Sequence, residues 1–339
     1  MIIVLKPGVR EAQAREILAR ISAQGLKPLY LPGTERTVLG AIGDERVLAK
    51  LHLEADPLVE SVTAILTPYK LVSRDMHPHD SIVSLGHGVS VGGAGFVVIA
   101  GPCAIESEEQ LSTTAQLVKA SGATVLRGGA FKPRTSPYSF RGLGREGLRL
   151  LALVAKTQGM PSVTEVIDAG DVDLVAEFAD VLQVGARNMQ NFSLLTALGG
   201  IKKPVILKRG MAAKLEDLLL AAEYVVSEGN PNVILCERGI RTFETAMRHT
   251  LDLAAVPFLK QRSHLPVLVD PSHGTGIREL VAPMSRAAAA CGADGIMVEV
   301  HPNPAVALSD GKQSLEPEQF ATLMRQLELV VEACGRKLA

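Results

Sequence analysis

Tryptophan is absent from the 339 residues, and aromatic side chains make up only 4% of them. The core must therefore be built from Leu, Val, Ile and Ala, which a hydrophobic content of 47% allows. Cysteine is also scarce. Cys103, Cys236, Cys291 and Cys334 form no C-x-x-C pair. That number excludes a disulfide framework, so a reducing, cytoplasmic setting is expected. No stretch reaches the roughly 18 apolar residues of a membrane span, and MIIVLKPG turns polar at Lys6, too early for a secretory leader. An excess of one charge is missing as well: 35 Lys and Arg stand against 36 Asp and Glu. With no basic tail, neither nucleic acid nor a membrane is expected as a partner.

Two rhythms divide the chain. Residues 1–66 read as strand, helix (10–24, with Ala12, Ile17, Leu18 and Ile21 near one face), strand, strand, helix (44–54) and strand. This βαββαβ order is the split pattern of ferredoxin-like domains. Residues 67–80, polar and with two prolines, read as a linker. SIVSLGHGVSVGG suggests a hairpin opening a second domain over 81–339.

From residue 95 eight short β-branched runs recur: GFVVIAGPC, TVLRGGAF, MPSVTEV, VLQVGAR, KPVILKRG, NVILCERG, LPVLVDPSHG and DGIMVEVHP. Helical patterns lie between them, at 106–121, 143–158, 214–227, 242–253 and 278–291. Eight strand–helix units predict a (β/α)8 barrel. An open doubly wound sheet is the alternative, but no G-x-G-x-x-G follows the first run.

Polar residues sit at the carboxyl end of nearly every run: Cys103, Arg127, Glu165, Arg187, Lys208, Arg238, Asp270 with His273, and Glu299. Buried charges are rare unless paired, and in barrels the active site is built at this end of the strands. Arg127, Lys132, Arg134, Arg187, Lys208 and Arg238 are expected to line one mouth. Together they suit a substrate with several negative charges, or two such substrates, because Arg engages phosphate and carboxylate in a two-pronged contact. Taken singly, some are as well explained as solvated loop residues or as partners of Glu165 and Glu237. Cys103, His273, Glu299 and Asp310, each in a turn-rich sequence, offer ligands of the kinds a divalent first-row metal takes, without choosing which. The same residues allow other readings: Cys103 as a small buried hydrophobe, His273 with Asp270 as a base and its orienting group, and His301 as a rival ligand.

The segments GPCAIES, RGGAFKPRTSPYSFRGLG, QVGARNMQNF, ILKRG, CERGIRTFE, DPSHGTG and EVHPNPAVALSDGKQSL resemble those of 3-deoxy-D-arabino-heptulosonate 7-phosphate (DAHP) synthases. The short N-terminal unit is similar to that of the type I β subgroup. The resemblance implies condensation of phosphoenolpyruvate with erythrose 4-phosphate, release of phosphate, and one divalent metal ion (Mn, Fe, Zn, Co or similar). It implies Cys103, His273, Glu299 and Asp310 as ligands. Arg187 and Arg238 would hold the phosphoenolpyruvate phosphate, with Arg127, Lys132 and Lys208 around its carboxylate. Pro133, Arg134, Thr135 and Ser136 would hold the sugar phosphate, with Glu165 an acid nearby. Lys132, Glu165, His273 and Cys103 are the expected catalytic set. Inhibition by Tyr or Phe through the N-terminal unit, in a homotetramer, is implied as well. The alternative enzyme is 3-deoxy-D-manno-octulosonate 8-phosphate synthase, whose corresponding segment usually reads Ala-Asn-Arg-Ser where Pro133–Ser136 stand here.

Overall fold

The computed structural model describes every residue except 34, 35, 44, 45, 48, 49, 64–66 and 134–137. It divides into two compact units, Met1–Pro78 and His79–Ala339.

In the first unit, β1 (Ile2–Leu5), α1 (Glu11–Ala23), β2 (Lys27–Pro32), β3 (Thr37–Ile42) and β4 (Val59–Thr63) build an antiparallel sheet of order β2-β3-β1-β4. Alternation in β1 turns Ile3 and Leu5 into the core, where they meet Ala14, Ile17 and Ile21 of α1. The buried face of α1 therefore runs 14-17-21, and Ala12, expected on it, is exposed. Part of the helix expected over 44–54 lies outside the described residues. Its end, Leu53–Ala55, is a single 3-10 turn.

The second unit opens with the hairpin β5 (Val83–Gly86) and β6 (Val89–Val91). His87 adopts φ 51° between Gly86 and Gly88, which also have positive φ. Eight parallel strands follow: β7 (Gly95–Gly101), β8 (Val125–Arg127), β9 (Ser162–Val166), β10 (Val181–Val184), β11 (Val205–Lys208), β12 (Val233–Glu237), β13 (Val267–Val269) and β14 (Gly295–Glu299). Each pairs with the next, and β14 returns to β7, so the sheet is a closed barrel. Helices α2 (Glu108–Ala120), α3 (Arg145–Gln158), α4 (Val172–Phe178), α5 (Phe192–Gly199), α6 (Leu215–Ser227), α7 (Ala255–Arg262), α8 (Pro271–Thr275), α9 (Arg278–Ala290) and α10 (Pro317–Ala333) accompany the strands. A final strand, β15 (Lys337–Leu338), pairs with the start of β7.

One expected helix is not formed. Residues 242–253 make an irregular loop closed by an Ile240–Thr250 bridge and a Thr242–Thr250 hydroxyl contact of 2.7 Å. Phe243 in that segment is almost wholly exposed, so its large apolar side chain gives a helix there nothing to bury. The helix begins only at Ala255.

The barrel interior holds an apolar cluster. Val97, Ile99, Val125, Val163, Val181, Ile206, Ile234, Cys236, Leu268 and Met297 fill it, and Val83, Leu85 and Val91 of the hairpin pack into the same cluster. Two residues further along each strand lie Arg127, Glu165, Gln183, Lys208, Arg238, Asp270 and Glu299. Because side chains alternate with period two, these continue the inward columns. The apolar floor thus becomes a charged layer within one step of each strand.

Gly101 ends β7 at φ 152°, and a Cβ there would lie 2.1 Å from the carbonyl oxygen of Arg127. Gly101→Ala should destabilise the fold by at least about 2 kcal/mol, measured by denaturant unfolding; an unchanged midpoint would refute this account of the β7 end.

Candidate active site

The carboxyl ends of the strands surround a cleft of about 500 Å³, lined among others by Arg127, Lys132, Pro133, Glu165, Arg187, Lys208, Arg238, His273 and Asp310. The cations expected at one mouth, apart from Arg134, therefore share one cavity. Arg134, Thr135 and Ser136 lie outside the described residues.

At one side of the cleft the candidate metal ligands converge. Ligand atoms of Cys103, Glu299 and Asp310 lie within 4.8 Å of one another. His273 Nε2 faces Glu299 Oε1 at 3.4 Å and Asp310 Oδ2 at 3.8 Å. The imidazole is held from behind, with Nδ1 2.8 Å from Asp270 Oδ2. An Nδ1 proton donated to that carboxylate leaves the Nε2 lone pair directed at the cluster. Asp270 is itself pinned: it caps α8 by accepting from the His273 backbone N–H, and it pairs with Lys208. Asp310 reaches the cluster from a left-handed backbone, φ 50°, which a non-glycine residue adopts only at a cost. His301, the rival ligand, turns elsewhere: its Nδ1 accepts from Asn303 N–H and its Nε2 faces Glu106.

This set fits a divalent cation. Two carboxylates and an imidazole lone pair crowd together, and such groups repel unless a positive charge sits among them. Burial first, then the Glu299 carboxylate, pushes the Cys103 thiol up to about 12, so it would shed its proton only to a cation that replaces it. Burial works against the Glu299 charge, but His273, Arg127 and Lys132 outweigh it and bring that carboxyl down to about 2.

The cations fall into two groups. Arg127 Nη1 donates to Glu299 Oε1 at 3.1 Å, and Lys208 pairs with Asp270; both pairs are buried. Arg187 and Arg238 have no carboxylate within salt-bridge distance among the described residues. Arg238 is buried and, among the described residues, donates to the carbonyls of Gly239 and His273. Burial pulls its pKa below the ordinary guanidinium value. A buried guanidinium without an anion is unfavourable on its own and favourable once an anionic ligand arrives.

Two glycines make room for the polar groups. Lys132 Nζ donates to the Cys103 carbonyl at 3.2 Å, and a Cβ on Gly129 would meet that carbonyl at 2.6 Å and the Lys132 chain at 2.9 Å. Glu165 accepts from Gln183 Nε2 at 3.2 Å, and a Cβ on Gly185 would meet its carboxylate at 2.1 Å.

Arg241, Arg248 and His249 also line the cleft, and the sequence reading did not single them out. Arg248 and His249 lie in the segment read as a helix, 242–253, and Arg241 stands immediately before it. Burial, then the neighbouring Arg238, brings His249 down to about 4 and keeps it neutral. The loop is tied to the barrel by Arg209 Nη1, which donates to Glu237 and Asp252, each at 2.9 Å.

Comparison with known proteins identifies the family. The family model for the DAHP synthetase I family matches residues 80–333, and that for the DAHP synthase ferredoxin-like domain matches residues 1–67. A phospho-2-dehydro-3-deoxyheptonate aldolase of Thermotoga maritima is 52% identical over 338 residues, covering 100% of both chains. A crystal structure of that aldolase (DAHP synthase) from Thermotoga maritima matches with a TM-score of 0.80 and 51% identity, over 100% of this chain and 99% of the other. A 2-dehydro-3-deoxyphosphooctonate aldolase of Acidithiobacillus ferrooxidans is 34% identical over 251 residues, 69% of this chain and 88% of its own. A closed barrel carrying this cleft, matched by the family model over most of its length, belongs to the DAHP synthetase I family.

Proposed function

We propose that this protein condenses phosphoenolpyruvate with erythrose 4-phosphate and water, giving 3-deoxy-D-arabino-heptulosonate 7-phosphate and inorganic phosphate, the entry step to aromatic amino-acid biosynthesis. The observation that carries the reading is the cleft itself. Arg187 and Arg238, without carboxylate partners among the described residues, share it with a buried thiol–imidazole–dicarboxylate cluster. Full-length identity to the Thermotoga maritima heptonate aldolase, against partial and lower identity to octonate aldolases, favours the four-carbon sugar. So does the Lys132–Ser136 sequence, KPRTS.

In this reading Arg187 and Arg238 hold the phosphoenolpyruvate phosphate. Lys132, Lys208 and Arg127 face its carboxylate, the latter two already oriented by Asp270 and Glu299. Pro133 and the adjoining 134–136 segment hold the sugar phosphate. A divalent metal ion held by Cys103, His273, Glu299 and Asp310 would supply Lewis acidity to the sugar aldehyde. The residues themselves perform the approach. Two phosphoesters must bring reacting carbons to about 3–3.5 Å, and fixed guanidinium and ammonium groups cancel the repulsion that opposes it. Carbon–carbon bond formation leaves positive charge on the enol carbon, where water adds before phosphate departs. Both His273 nitrogens have other work, Nδ1 on Asp270 and Nε2 toward the cluster. We therefore assign the proton of that water to Glu165, which accepts from Gln183.

Residues 1–66, which fall within the match to the ferredoxin-like domain model, are read as a regulatory unit that binds Tyr or Phe, in a homotetramer.

Phosphate release from phosphoenolpyruvate tests the main reading. Erythrose 4-phosphate should support turnover, arabinose 5-phosphate should not, and EDTA should abolish it. Turnover with the five-carbon sugar alone would select the octulosonate enzyme instead. Cys103→Ser should lower metal affinity and turnover together, by more than the roughly 10–100-fold that loss of a supporting partner brings. Full metal-dependent turnover in that variant would sink the ligand assignment. Removing residues 1–66 should preserve turnover and relieve inhibition by Tyr or Phe; a truncated protein inhibited as before would refute the regulatory reading.

A further inference from the structure

Gln313 lies in the loop between Asp310 and α10 and is 2% exposed. It does not line the cleft, and nothing in the mechanism above uses it. Its amide nevertheless touches the reaction machinery at both ends. Nε2 donates to Glu299 Oε2 at 2.6 Å, and Oε1 accepts from Arg248 Nη1 at 2.8 Å. Its backbone N–H donates to the Asp310 carbonyl at 3.2 Å.

The chemistry fixes which way round this amide sits. An ionised carboxylate only accepts and a guanidinium only donates, so NH2 must face Glu299 and oxygen must face Arg248. Arg248 cannot reverse this arrangement, because it has no acceptor to offer. The same Nη1 also lies 3.6 Å from Asp310 Oδ1.

The two oxygens of Glu299 consequently have separate duties. Oε2 is engaged by Gln313. Oε1 is the atom that accepts from Arg127 and faces His273 Nε2. A carboxylate held this way cannot rotate to offer both oxygens to one ion without breaking a buried charge-assisted hydrogen bond. We propose that Gln313 is a positioning residue that holds Glu299 as a one-oxygen ligand, presenting Oε1 to the cation, and that Arg248 keeps the Gln313 amide in the orientation this requires. The inference rests on the reading of Cys103, His273, Glu299 and Asp310 as a metal site.

The test uses the metal-free full-length protein titrated with Co²⁺ alone. Co²⁺ bound through Cys103 should give a thiolate charge-transfer band, absent in Cys103→Ser. Gln313→Met, close in volume but unable to donate, should weaken Co²⁺ binding about 10–100-fold in chelator competition and alter the band. Gln313→Asn keeps the amide but is one methylene shorter; it should weaken binding as well, and it carries the test if the Met variant does not fold. Thermal melting of each metal-free variant separates lost affinity from lost structure. At saturating Co²⁺, KM for phosphoenolpyruvate should stay near the wild-type value while kcat falls, since Gln313 is not in the cleft wall. Wild-type affinity and an unaltered band in either folded variant would overturn the role of Gln313. A wild-type protein that binds no Co²⁺ would instead overturn the metal reading beneath it.

Discussion

A side-chain period of two inside a closed barrel is the constraint from which this site follows. The columns that fill the barrel with Val, Ile, Leu and Met cannot stop facing inward when the residue type changes to charged. Arg127, Glu165, Lys208, Asp270 and Glu299 therefore enter the interior together, and desolvation obliges most of them to find partners. Arg127 with Glu299 and Lys208 with Asp270 are the outcome. Such pairs contribute little net stability, because the desolvation penalty offsets most of the attraction. They do hold each side chain in one place.

That immobility is useful to an enzyme whose substrates repel each other. Asp270 illustrates the economy of the arrangement. The same carboxylate orients His273 toward the ligand cluster, pairs with Lys208, and caps a short helix by accepting from the His273 backbone. Its burial would raise its pKa, yet His273 and Lys208 hold it well below the ordinary carboxylate range. The carboxylate stays charged at neutral pH and serves both neighbours. Arg187 and Arg238, by contrast, have no carboxylate within salt-bridge distance among the described residues, and Arg238 donates to backbone carbonyls instead.

The loop between β12 and α7 shows how irregular backbone serves the same end. A helix over 242–253 would have continued a regular barrel. The observed loop is held instead by the Ile240–Thr250 bridge and by Arg209 reaching Glu237 and Asp252. It brings Arg241, Arg248 and His249 to the cleft wall. Asp310 is a related case, reaching the cluster from an unfavourable left-handed backbone. Strain of this kind persists only where the surrounding contacts over-determine the conformation.

Much of this was legible from residue order alone. The eight β-branched runs, each ending in a polar residue, predict both the barrel and the end of it that carries the chemistry, because strand period and chain direction are local properties. The cations and the four ligand candidates were legible for the same reason: each lies at or shortly after the carboxyl end of a barrel strand. What the order of residues could not decide was which charges pair. Glu299 meets Arg127, Gln313 meets Glu299 and Arg248, and His301 turns to Glu106 rather than to the ligand cluster. These choices join residues on separate strands and loops, and only closure of the barrel sets the distances between them. The false helix over 242–253 has the same origin. An apolar period marks a helix only if a core lies opposite it, and the tertiary structure left that side of Phe243 to solvent.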